Sequence, residues 1–297
     1  MPSESLQAPA GGPARVLVTG AAGLLGRAVL ARYAAAGVAV TALVEADPGD
    51  LPADRVAVGD ARDPELVAEA LRDVDAVAHL AAIPRPGGGV PDEHVFANNT
   101  AATFTVLDGA GRAGVHRAVT ASSLAATGTS FGWEKAPPAY LPLDESVPLR
   151  PADPYALSKQ TDEATAAMVA RRYGMSVTAL RFPHLAAPPE SKEGLAAHYC
   201  VDPAVGAPHL WAYLHPDDAA RACALALTVP GPGRHVAFLA APRTYAAQPT
   251  EELLARYHPD VPRRALLPGR AVPIDTRHAR ELLGFEAELL WPEPEDL

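Results

Sequence analysis

Tyr155 and Lys159 stand four residues apart in the segment PYALSK at 154–159. On a helix, positions i and i+4 share one face. A phenol ordinarily releases its proton near pH 10, and an ammonium one turn away favours the phenolate and draws that release toward neutrality. Such a pair suits proton transfer to and from a C–OH/C=O couple. Upstream, Ser122 and Ser123 close an apolar run, and a serine hydroxyl there could hydrogen-bond a substrate oxygen beside Tyr155. The chain has three lysines, Lys135, Lys159 and Lys192, so a lysine in this spacing is informative.

A second constellation lies near the N-terminus. The run Arg15-Val-Leu-Val-Thr19 leads into Gly20, Gly23 and Gly26, spaced G-x-x-G-x-x-G, and then into a helical pattern. A tight strand-to-helix turn asks for a residue free of Cβ strain. A backbone that approaches a pyrophosphate needs no side chain in the way, and a helix N-terminus offers unpaired N–H groups and its positive dipole end. This placement predicts a dinucleotide site. The second β-rich run ends at Glu45, in LVEAD at 43–47. An acid there hydrogen-bonds the adenosine ribose and repels a 2′-phosphate. No Arg or Lys stands between Arg32 and Arg55, which favours NAD over NADP. Asp60, after the third run, is placed to accept from the adenine amine.

These groups need a scaffold, and the periodicity supplies one. Short apolar runs at 15–19, 38–44, 55–58, 75–81, 117–121 and 176–181 alternate with helical patterns at 24–36, 64–71, 97–113 and 155–173. Strands apolar on both faces and alternating with helices predict an α/β fold, a doubly wound parallel sheet covered on both sides. The core is expected over 14–181, with 213–241 returning to it. Residues 182–212 and 242–297 are expected to form a small, discontinuous C-terminal substrate-binding lid over the carboxyl ends of the strands, where ligands bind in such sheets. Residues 1–13, rich in Pro, Gly, Ser and Ala, read as a flexible tail. Candidate substrate contacts are Arg85 in the glycine-rich loop 83–94, Trp133 between the serines and Tyr155, and His184 after the sixth run.

Composition narrows the function classes. Over 297 residues there are 25 Lys and Arg against 35 Asp and Glu, a net charge of −10. Such a surface repels phosphate backbones and acidic lipid, so neither nucleic acid nor a membrane is an expected partner. No apolar run is long enough to predict a membrane span. The ten histidines show no metal-ligand spacing, and no metal is expected; His79, inside the fourth run, reads as a satisfied core residue. Two cysteines, Cys200 and Cys223, and the lack of a basic stretch followed by an apolar one in residues 1–13 predict reduced thiols and a cytoplasmic location.

With these motifs the chain resembles the extended short-chain dehydrogenase/reductase family, in its NAD-dependent epimerase/dehydratase group. The marks are TGAAGLLG (19–26), GDARD (59–63), HLAA (79–82), NNTAAT with Asn99, ASS (121–123), PYALSK (154–159), LRF (180–182), HPDD (215–218) and DTRHARELLGF (275–285). The resemblance implies a Rossmann-type fold, NAD as cofactor, a small-molecule substrate and a homodimer through the 97–113 and 155–173 helices. It implies Ser123, Tyr155 and Lys159 as a catalytic triad, with Ser122 in support. It also implies cofactor contacts from Gly20, Gly23, Leu25, Gly26, Asp60, Ala61, Ala81, Asn99 and Pro183, although Asn99 is better suited to holding local backbone or a water near the triad.

The departures from the family pattern are informative. Dehydratases of nucleotide sugars carry an Asp-Glu pair after the strand-five hydroxyl, where this chain has Leu124-Ala125. Pro183-His184 stands where many nucleotide-sugar members have an Asn, and Trp211 where they have an Arg. Those groups usually bind a diphosphate, so a smaller substrate is expected. The resulting reading is an NAD-dependent oxidoreductase acting on a secondary alcohol or ketone of a sugar, sugar acid or biosynthetic intermediate. An NAD-retaining sugar 4-epimerase uses the same triad and is the alternative. A non-catalytic dinucleotide sensor would have no use for the triad.

Overall fold

The computed structural model describes residues 12–131, 137–186 and 202–291. Seven strands form one parallel sheet: β1 (Arg15–Thr19), β2 (Ala39–Val44), β3 (Arg55–Val58), β4 (Ala76–His79), β5 (Arg117–Ser123), β6 (Ser176–Phe182) and β9 (Gly233–Phe238). Their order is β3-β2-β1-β4-β5-β6-β9. The chain moves outward from β1 to β3, then restarts at β4 on the other side. The switch between β1 and β4 opens a crevice at the carboxyl ends of the strands. A separate two-stranded pairing joins β7 (His184–Leu185) and β8 (Tyr213–Leu214).

Local chemistry sets the helices on either face. Helix α1 (Leu24–Ala35) has Gly23 at its N-cap and no side-chain cap, so its first N–H groups stay available to a ligand. Helix α2 (Pro64–Ala70) is capped by Asp63, which accepts from the N–H groups of Glu65 and Leu66. Helix α3 (Asp92–Arg112) begins five residues before the expected 97. Pro91 precedes it, and Asp92 and Glu93 sit in its first turn, where they suit the helix dipole. The glycine-rich loop therefore ends at Pro91 instead of 94. Helix α4 (Pro154–Tyr173) carries Pro154 at its start, is capped by Asp153 onto Ala156, and stops at Gly174 in the left-handed region.

Three further helices follow a one-turn helix, α5 (Pro203–Gly206): α6 (Pro216–Ala226), α7 (Thr250–Tyr257) and α8 (Arg277–Leu283). One apolar core lies between the sheet and α1 and α6, through Val16, Leu30 and Ala222; another lies under α2, α3 and α4, through Leu17, Val106 and Val177. A third joins Tyr140, Leu141, Trp211, Tyr213, Leu254 and Trp291.

The third core does not coincide with 182–212 and 242–297: it takes in residues from outside them and leaves some of theirs to another core. Residues 137–149 join it, because Leu141 and Leu143 make β-bridges to Arg263 and Ile274. Ala279, Leu283 and Phe285 leave it for the α1–α6 core. The tail expected over 1–13 falls mostly outside the described residues.

Candidate active site

The crevice is a cavity of ≈ 940 Å³. At one end lie Gly20, Gly23, Leu25 and Gly26 with Glu45, Asp60, Ala61 and Ala81. A Cβ on Gly20, at φ +65°, would lie 2.7 Å from the Ala81 nitrogen, and one on Gly26 would lie 2.7 Å from the Ala21 Cα. The turn is thus closed against its own backbone at Gly26 and against the segment after β4 at Gly20, and bare toward the cavity. Uncapped N–H groups at the start of α1, facing a cradle without side chains, fit a pyrophosphate. The exposed Glu45 borders the same end of the cavity, just after β2.

At the other end stand Ser123, Tyr155 and Lys159. Ser123 ends β5, and its Oγ accepts the N–H of Ala125 at 3.0 Å, capping a 3-10 turn over Leu124–Thr127. The hydroxyl oxygen is held in place while its proton stays available to a substrate oxygen. Tyr155 and Lys159 share one face of α4. The Lys159 Nζ lies 5.7 Å from the Tyr155 ring centroid and 3.2 Å from the Asp162 Oδ2. Burial acts to lower the Lys159 pKa, but Asp162 and Tyr155 outweigh it and hold it above its ordinary value. Lys159 therefore stays an ammonium. Asp162 is itself pushed upward by burial, against the pull of Lys159.

The remaining expected residues are placed as follows. Pro183, His184 and Arg85 also border the cavity; burial lowers the His184 pKa. Asn99 is buried behind the wall. It accepts the N–H of Ile83 at 2.8 Å, and its amide donates to the Ile83 carbonyl and to Ser158; its side chain shapes the loop after β4. Ser122 borders the cavity, but its hydroxyl donates to Glu163 at 2.7 Å, and Glu163 is in turn paired with Arg181 through two bonds. The side chain expected to support the triad is thus committed to a buried ion pair. Trp133 lies outside the described residues. His79 is neutral and satisfied between Thr19 and Thr103.

Sequence reading did not single out Phe131, His209 or Tyr245, which also line the cavity. Phe131 packs edge-on against both Tyr155 and His209, with ring centroids 5.9 and 5.4 Å apart. The sequence signal for Phe131 is its place two residues before Trp133, in SFGW at 130–133. Among the described residues no cluster of three or more His, Cys, Asp or Glu could hold a metal.

A doubly wound sheet with a bare glycine cradle at its switch point and a Ser/Tyr/Lys wall opposite defines a dinucleotide-linked fold. The sequence pattern of the "NAD dependent epimerase/dehydratase family" matches residues 16–238, and the chain belongs to that family. NAD is the family's cofactor. A UDP-glucose 4-epimerase of Azospirillum brasilense is 33% identical over 190 residues, 61% of this chain and 52% of that one. The match thus spans about half the length of that relative. An L-arabinose 1-dehydrogenase (NAD(P)(+)) of Haloferax volcanii is 33% identical over 185 residues, 61% of this chain and 70% of that one. Among solved structures, a short-chain dehydrogenase/reductase superfamily protein of Agrobacterium tumefaciens with bound NAD superposes with a TM-score of 0.71. It has 25% identity, over 93% of each chain.

Proposed function

We propose that the protein is an NAD-dependent dehydrogenase or reductase acting on a secondary alcohol or ketone of one small polar molecule, a sugar or sugar acid. The observation that carries this reading is that Ser123, Tyr155 and Lys159 share one cavity with the glycine turn. Bound NAD supplies the hydride acceptor. Ser123, fixed by Ala125, donates to the substrate oxygen. Tyr155 takes the hydroxyl proton as the alcohol is oxidised and returns it in reduction. Lys159 stabilises the phenolate and reaches a ribose hydroxyl. Gly20, Gly23 and Gly26 admit the pyrophosphate, while Glu45 and Asp60 receive the adenosine.

One feature supports a substrate without a nucleotide handle. Trp211, which precedes the HPDD segment, is fully buried in the third core and donates to the Pro203 carbonyl. No cation reaches the cavity from that position.

The test is NADH formation from a panel of monosaccharides and sugar acids, with Tyr155→Phe alongside. Turnover in the wild type, with loss of at least about a hundredfold in the variant and retained NADH binding, supports the reading. Wild-type turnover in a Tyr155→Phe variant overturns it. Near-stoichiometric NAD released on denaturation, with interconversion of sugar epimers and no net NADH, favours the epimerase instead, the activity named for the Azospirillum relative.

The same reading includes a cytoplasmic homodimer. Phe104 on α3 and Leu157 on α4 are 46% and 44% exposed, and a second copy packed on these helices would cover them. Light scattering that gives a monomer, unchanged by Phe104→Glu, would refute the dimer. Among the described residues no helix is long and apolar enough to cross a membrane.

A further inference from the structure

Four buried side chains run between the glycine turn and Lys159: Thr19, His79, Thr103 and Asp162. Parallel pairing of β1 with β4 sets Thr19 opposite His79, and α3 and α4 bring Thr103 and Asp162 behind them. The direction of each hydrogen bond follows by counting donors and acceptors. The Thr19 Oγ receives the N–H groups of Leu80 and Ala81, each at 3.2 Å. Its lone pairs are then used, so its proton goes to the His79 Nδ1 at 2.8 Å. With Nδ1 accepting, the neutral ring carries its proton on Nε2, which donates to the Thr103 Oγ at 3.0 Å. The Thr103 proton is left to face the buried Asp162 carboxylate, whose charged form Thr103 favours and whose Oδ1 has no other partner. Asp162 holds the Lys159 Nζ at 3.2 Å.

We propose that Asp162 is the positioning residue for Lys159, and that Thr103, His79 and Thr19 hold it through a hydrogen-bond chain of fixed direction anchored on the cofactor loop. This inference rests on the dehydrogenase reading of the site. The chain is a clamp and not a proton exit: every member is buried, and it ends on the backbone amides of Leu80 and Ala81, which pass no proton onward. Burial, with Lys159 nearby, presses the His79 pKa down to about 3 and keeps the ring neutral, and its two threonine partners fix the tautomer. An ammonium has three N–H donors. With one fixed on Asp162, two remain for the phenol and for a ribose hydroxyl. Leu80 and Ala81 border the same cavity as Lys159, so the loop that receives the cofactor and the lysine that works beside it share one rigid connection.

The experiment compares the full-length wild type with Asp162→Asn, Thr103→Val and Thr103→Ser. Asp162→Asn and Thr103→Val are expected to lower kcat by roughly 10- to 100-fold, as small displacements of a working group do. Thr103→Ser, which keeps the hydroxyl, is expected to retain most of the activity. Asp162→Asn should also move the alkaline limb of the kcat/KM profile to lower pH by about one unit, because the ammonium loses its counter-charge. Independently of turnover, nitrogen-15 spectra of the cofactor-free wild type should show His79 protonated on Nε2 from about pH 5 to pH 8. A folded Asp162→Asn with wild-type kcat and pH profile overturns the proposal, as does a His79 proton on Nδ1. If Asp162→Asn does not fold, the Val/Ser pair and the tautomer decide. A wild type that binds no NADH refutes the functional reading instead, and the tautomer measurement stands apart from that result.

Discussion

Arg62 spans both carboxylate oxygens of Asp60, with its Nε 2.9 Å from each. This guanidinium holds the Asp60 carboxyl below the usual range, and Glu45 adds to the attraction on Arg62. The end proposed to receive the adenosine thus has a cation beside it, delivered after β3 from beyond the stretch between Arg32 and Arg55 that carries none. Arg62 offsets part of the repulsion that two acids exert on a 2′-phosphate. Arg62→Leu should therefore sharpen the preference for NAD, weakening NADPH binding about tenfold more than NADH binding, the equivalent of ~1.4 kcal/mol. Fluorescence titration of both reduced cofactors measures this. An unchanged ratio would place the ribose away from Arg62.

The glycine cradle gives a prediction with an internal control. An added Cβ at Gly26 meets backbone of Gly20 and Ala21, which cannot move aside as a flexible side chain would. Gly26→Ala should weaken NADH binding at least about tenfold and lower Tm by several degrees, as over-packing does. Gly37, at φ +68°, has nothing within 4 Å of such a Cβ. Gly37→Ala should cost only backbone strain, about 1–2 kcal/mol, and leave NADH affinity unchanged. Equal affinity losses in both variants would mean that general destabilisation, not the cradle, governs binding.

His79 makes a signed prediction about pH. Its pKa falls from an ordinary 6.5 to about 3 in the folded protein, through burial first and Lys159 second. Between those values the unfolded chain binds a proton that the folded one refuses. Stability is therefore full above about pH 6.5 and is lost as pH falls toward 3, by at most ~1.4 kcal/mol per pH unit from this group. Urea unfolding of the wild type and His79→Gln across that window separates its share. The variant should show a shallower decline with acidification, whatever its stability at neutral pH. Parallel slopes would mean that carboxylates alone govern the acid limb.

What the sequence revealed depended on range. β1 to β6 were legible within a residue or two because short apolar runs between turn signals identify buried strands. The glycine turn and the Tyr155/Lys159 spacing were legible because each is local. What escaped was assembled by pairing distant segments. The register of β1 against β4 joins Thr19 to His79, and the bridges from Leu141 and Leu143 carry 137–149 into the third core. Neither leaves a periodic trace. Arg62 escaped for a related reason: proximity to Glu45 is set by the parallel pairing of β2 with β3, not by distance along the chain.

Ser122 and Ser123, adjacent in sequence, face different environments, and their alanine variants should separate accordingly. The Ser122 hydroxyl donates to Glu163, which is buried against Arg181. Its removal takes one hydrogen bond from a charged acceptor, a loss of about 1.5–3 kcal/mol, at a place where the proposed chemistry does not occur. Ser122→Ala should lower stability and keep kcat within a few-fold of wild type. The Ser123 oxygen is held by a single local N–H, so Ser123→Ala should cost less stability. It should nevertheless reduce kcat by roughly 100-fold or more, the scale of losing one donor to a reacting oxygen. Urea unfolding and single-turnover kinetics on the two variants test the pair together. If Ser122→Ala is the kinetically impaired variant, the substrate oxygen sits on the Glu163 side of the sheet end, and the assignment of Ser123 fails.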